Sequence, residues 1–138
     1  MRKISYASVG IVAVAILLAS GCSQRYAAER DGKKAGQAMC DLKNATTKDE
    51  ATNALNDVNK QLDDLANKYS LATAEDRKDV QNNLADLAEH TVQGNDALRQ
   101  QDLAVLQRSI RHIADDSSET ARAAWEGVLE GLSTCTTY

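Results

Sequence analysis

Apolar residues recur every three or four positions along most of this chain, a period that helices satisfy and strands do not. Ala51, Leu55, Val58, Leu62, Leu65 and Tyr69 form one stripe, and Val80, Leu84, Leu87, Thr91, Gly94 and Leu98 form a second. Leu103, Leu106, Ile110 and Ile113 supply a third, and Ala121, Ala124, Val128 and Leu132 a fourth. No segment alternates apolar and polar residues in twos, and Val, Ile and Thr are too scattered to build strands. The spacing predicts an all-α fold: an antiparallel bundle of four long helices, preceded by a shorter amphipathic segment around Ala35, Met39 and Leu42. Thr47 and Glu50 have capping-box spacing at the head of the first long helix, and Thr73-Ala74-Glu75-Asp76 opens the second. Gly94 offers one end for that second helix. The unbroken spacing on to Leu98 favours a helix reaching about residue 100, with Asp102 capping the next.

The first 22 residues carry a different signal. Arg2 and Lys3 make a positive start, and Val9 to Leu18 is an apolar run of ten residues, too short to cross ~30 Å of hydrocarbon as a helix. Small residues Ala19, Ser20 and Gly21 then precede Cys22. The run Leu18-Ala19-Ser20-Gly21-Cys22 resembles the lipobox of bacterial prolipoproteins. That resemblance implies a signal peptide over 1–21, cleavage before Cys22, a diacylglyceryl group on its thiol and an N-acyl chain such as palmitate on its new amine. It also implies an extracytoplasmic protein held on a bacterial membrane by lipid, with no cofactor beyond that lipid. Several acyl chains matter here, because one chain alone binds a membrane only marginally.

Residues 22–31 are then expected to be the lipidated anchor and a short tether, with the helical domain over 32–138. Ser23 to Ala28 spans only about 20 Å fully extended, so the domain is held close to the bilayer. Arg25, Arg30, Lys33 and Lys34 stand in this region against Glu29 and Asp31. Basic residues near an anionic surface gain ~1 kcal/mol each, but so small an excess fits a solvated helix start better.

Residues 103–133 form either one long helix or two. Ser117 keeps the seam spacing, yet Asp115-Asp116-Ser117-Ser118 is a run that prefers caps and turns, and Asp116 with Glu119 has capping-box spacing. The cysteines help to choose between them. With Cys22 lipidated and the chain exported, Cys40 and Cys135 remain as a pair in an oxidising compartment. A bond between them requires Cα atoms within ~7 Å. Cys40 precedes the first long helix and Cys135 follows the last, so the chain must return to its starting end, which takes an even number of passes. Four passes fit a disulfide, and the helix is expected to break near 115–118.

Composition excludes more than it assigns. The 138 residues include 20 Asp and Glu against 16 Lys and Arg, a net charge of −4, and loss of Arg2 and Lys3 with a leader lowers it to −6. Nucleic acid is therefore not an expected partner, because binding it requires a basic face that displaces phosphate counterions. No C-x-x-C, H-E-x-x-H, G-x-S-x-G, G-x-G-x-x-G or phosphate-loop pattern occurs, and no catalytic residues are expected. His90 and His112 lie eleven residues either side of position 101. A turn there would set them at similar heights on adjacent helices, where Glu89 or Asp115 would complete a metal site. Each borders a seam position, however, and zinc normally takes three or four convergent protein ligands, so two partly exposed histidines flanking an interface are the expectation. Pairs such as Asp63-Asp64 and Asp115-Asp116 read as solvated faces, and Trp125 as a core anchor.

The stretch Leu55-Asn56-Asp57-Val58-Asn59-Lys60-Gln61-Leu62-Asp63-Asp64-Leu65 is similar to the coiled-coil heptads of the murein lipoprotein family, which ties an outer membrane to peptidoglycan through a terminal Lys. Here the chain ends Thr136-Thr137-Tyr138, so wall attachment is not implied. The expected function is that of a non-enzymatic cell-envelope lipoprotein whose helices bind another envelope protein or the cell wall. The alternative is a carrier that holds a metal or a small apolar ligand between helices.

Overall fold

The computed structural model of the protein describes residues 24–71 and 74–135. Those residues form five helices and no strand: α1 over 24–43, α2 Lys48–Tyr69, α3 Ala74–Val92, α4 Asp96–Asp115 and α5 Glu119–Ser133. Neighbours in sequence run antiparallel, so α1 and α5 run parallel. Arg25 meets Glu119 at 3.0 Å at one end of this pair, and Cys40 is bonded to Cys135 at the other, with a Cα separation of 5.8 Å. Four passes separate the two cysteines, as the expected bridge requires.

Four of the helices bury the stripes read from the sequence. Val58, Leu62, Val80, Leu84, Leu87, Leu106, Ile110, Val128 and Leu132 are fully buried. Trp125 is fully buried, its indole Nε1 donating to the Leu71 carbonyl at 3.0 Å. Thr47 caps α2, its hydroxyl accepting from the Glu50 amide at 3.1 Å. The Glu50 carboxylate accepts from the amide and hydroxyl of Thr46 rather than returning to Thr47.

The break at 115–118 is present, with Ser118 at the N-cap of α5. Arg122 reaches back across it, donating to the carbonyls of Ala114, Asp115 and Ser117 at 3.1, 3.2 and 3.5 Å. A guanidinium there satisfies orphan carbonyls and places positive charge at the negative end of α4.

Three expectations are corrected. The segment around Ala35, Met39 and Leu42 is a full helix of the bundle, not a short prelude, so the bundle has five helices rather than four and a segment. It begins by residue 24 and has buried Ala28 completely, so 24–31 belong to the folded body instead of a tether. The cause is an unusual seam. A Cβ built on Gly32 would lie 2.0 Å from the Ala124 carbonyl oxygen, one on Gly36 2.1 Å from that of Val128, one on Gly127 2.1 Å from that of Glu29, and one on Gly131 2.2 Å from that of Lys33. Helices α1 and α5 thus touch backbone to backbone, and glycine gives no hydropathy signal.

The third correction concerns α3, which ends at Val92, not near residue 100. Gly94 adopts φ +68°; its amide donates to the Thr91 carbonyl and that of Asn95 to the His90 carbonyl, both at 3.1 Å, the Schellman arrangement that closes a helix. Asn95, rather than Asp102, caps α4 by accepting from the Leu98 amide at 3.2 Å. The period continued because both helices present apolar faces to one core.

Candidate functional site

Cys22 and the leader lie outside the described residues, so the site is sought on the bundle. Its two ends differ. The end nearest residue 24 holds the close of α2 at Ser70 and Leu71, the start of α3 and the 115–118 turn. The opposite end holds the disulfide, the head of α2, the close of α3 and the start of α4.

At that far end α1 and α5 finish side by side, and two parallel helices concentrate carbonyl charge there. Lys43 offsets it. Its side chain is almost fully buried, and Nζ donates to the Cys135 carbonyl at 2.5 Å. Arg99 Nη1 donates to the Lys43 carbonyl at 3.4 Å. Burial, reinforced by the nearby Arg99 charge, lowers the Lys43 pKa.

The histidines are not brought together. His90 Nδ1 faces Asp102 Oδ2 at 2.5 Å across the α3–α4 seam. His112 is exposed and lies 3.6 Å from Asp116 at the opposite end of α4. Ten residues of helix, about 15 Å, separate Asp102, where His90 meets α4, from His112, because the turn falls at 93–95 instead of 101. No cluster of three or more His, Cys, Asp or Glu suited to a metal occurs among the described residues. The Asp102 hydrogen bond, strengthened by the charges of Asp102, Glu89 and Asp86 and opposed by burial, raises the His90 pKa above its ordinary value.

A groove of about 340 Å³ opens between the head of α2 and the close of α3, lined by Ala51, Thr52, Leu55, Ala88 and Val92 with Lys48, Glu89 and Gln93 at its edges. Val92 is 42% exposed there. A groove of this size accepts one or two apolar side chains of a partner. The heptad-like stretch of α2 turns Val58, Leu62 and Leu65 into its own bundle. On the other flank of α2, burial and a 2.8 Å hydrogen bond to Asp31 push the Tyr69 hydroxyl up to about 12, so it remains a donor tying α2 to α1.

Sequence reading missed the α1–α5 contact, although Gly32-x-x-x-Gly36 and Gly127-x-x-x-Gly131 are the spacing at which helices approach closely. It also missed the pairing of His90 with Asp102, for which Gly94-Asn95-Asp96 was the available cue: a helix stop followed by a cap. None of the described helices is long and apolar enough to cross a membrane. No protein-family model, curated protein or solved structure matches the chain.

Proposed function

We propose that the protein is a non-enzymatic, lipid-anchored envelope lipoprotein whose bundle works by contact with an envelope protein or the cell wall. The observation that carries this reading is the run Leu18-Ala19-Ser20-Gly21-Cys22 standing directly ahead of a helix that is packed from its second turn. A small residue before the cut and a thiol after it are what lipid transfer and cleavage require. Diacylglyceryl and N-acyl chains on Cys22 hold the bundle against the headgroups, since each buried methylene adds ~0.8 kcal/mol. The groove between α2 and α3 supports the contact half, because an exposed apolar surface beside charged residues suits a protein partner.

The test is Cys22→Ser in a bacterial host. Wild type is expected to fractionate with membranes at the mass of a cleaved, acylated chain, and the variant to accumulate as uncleaved precursor or to be released. A variant that stays with membranes at the wild-type mature mass would overturn the reading.

A further inference from the structure

An anchor at Cys22 leaves two orientations open: the bundle standing on its near end, or lying along α1. The charges separate them. The near end carries Glu75 and Asp76 in the first turn of α3, Asp115 and Asp116 at the close of α4 and Glu119 at the start of α5. The basic groups beside them are Arg25, paired with Glu119 at 3.0 Å, the exposed Lys78 and Arg111, Arg122, turned to the carbonyls closing α4, Arg77, 3.5 Å from Asp63, and Lys68, 3.8 Å from Asp31. With acids and bases so nearly balanced, this end offers an anionic bilayer within a Debye length, ~8–10 Å, no net attraction.

The outward ridge of α1 has the opposite character. Arg25, Arg30, Lys33 and Lys34 lie along it against Glu29, while Asp31 accepts from the Tyr69 hydroxyl through one oxygen and lies 3.7 Å from Arg30 through the other. Arg25 and Lys33 reach Glu119 and Glu130 at 3.0 and 3.4 Å, but these pairs are exposed, and exposed pairs contribute ~0–1 kcal/mol, so lipid phosphates can displace them. Among these basic side chains stands Tyr26, 69% exposed, an aromatic ring with a polar tip of the kind that settles at headgroup depth.

We propose that the α1 ridge of Tyr26, Arg25, Arg30, Lys33 and Lys34 is a docking face for an anionic phospholipid bilayer, so that the anchored bundle lies on its side along α1. This rests on the lipid-anchor reading.

The test reconstitutes the full acylated protein in vesicles of brominated phosphatidylglycerol and phosphatidylethanolamine. A tryptophan is placed by Gln37→Trp on α1 or by Ala104→Trp on α4. Both positions are exposed, and they stand at similar heights, about 20 Å along the bundle from its near end. Buried Trp125 supplies a constant background. Lying on α1 predicts loss of the added fluorescence for Gln37→Trp and none for Ala104→Trp, with the loss abolished by Arg30→Glu plus Lys34→Glu and by high salt. No loss at either position means that the bundle stands upright; equal loss at both means that no face is preferred; either overturns the proposal. Intact mass separates the two readings: acyl chains on Cys22 with no loss at position 37 overturn the docking face alone, and their absence overturns the anchor and the docking face together.

Discussion

His90 and Asp102 form the most closely coupled titratable pair between helices among the described residues, and their stability effect has a definite sign. The carboxylate hydrogen bond raises the native His90 pKa above its ordinary value of 6.5, so folding favours the protonated ring. The contribution is therefore complete below about 6.5 and fades as pH rises through the raised native value. Melting temperatures of wild type and His90→Gln, measured from about pH 5 to about pH 9, should differ most at the acid end and converge at the alkaline end. A pH-independent gap would show that the ring does not titrate against Asp102. The sequence revealed that both histidines border the seams. Their actual partners depended on a turn placed seven residues from where hydropathy put it.

Between elements, the decisive contact is α1 on α5. Adding a methyl at Gly36 places it 2.1 Å from the Val128 carbonyl oxygen and 2.7 Å from the Leu132 amide nitrogen. Backbone atoms cannot rotate aside, so the helices must part and the packing of Met39 and Leu132 loosens. Gly36→Ala is expected to cost ~3 kcal/mol or more, the upper range for overpacking. Gly94→Ala is the control: nothing lies within 4 Å of its would-be Cβ, and its cost is the ~1–2 kcal/mol of a left-handed backbone. Urea midpoints measure both. If Gly36→Ala is no more damaging than Gly94→Ala, α1 and α5 do not touch as described.

For the molecule as a whole, the bridge links the ends of the first and last helices and closes 95 residues of chain. Such a loop predicts ~4–5 kcal/mol of stabilisation by restricting the unfolded ensemble, an upper figure because measured bridges often deliver less. Cys40→Ala with Cys135→Ala avoids leaving buried thiols and should lower the urea midpoint. It should also steepen the dependence on urea, as the freed unfolded chain exposes more surface. An unchanged midpoint would mean that the bridge does not constrain the unfolded chain. A bundle whose core holds no Phe and many small side chains depends more on this closure than one with a larger apolar core.

The sequence by itself determined the features that neighbouring residues encode. Leu and Val at helical spacing set four of the five helices, Thr47 set the start of α2, Asp115 to Ser118 set the last break, and the pairing of Cys40 with Cys135 set an even number of passes between them. Each is local or topological and survives without coordinates. The tertiary structure alone decided where α1 begins, where α3 ends and which groups meet across the seams. Glycine gives no hydropathy signal, so the part of α1 held by backbone contact with a segment some ninety residues away was not legible, and only Ala35, Met39 and Leu42 marked the helix. Helical period likewise passes unmarked through a turn when both flanking helices face the same core. What separates Gly94 from Leu98 as an end is a left-handed backbone angle, stabilised by carbonyls that only the folded chain positions.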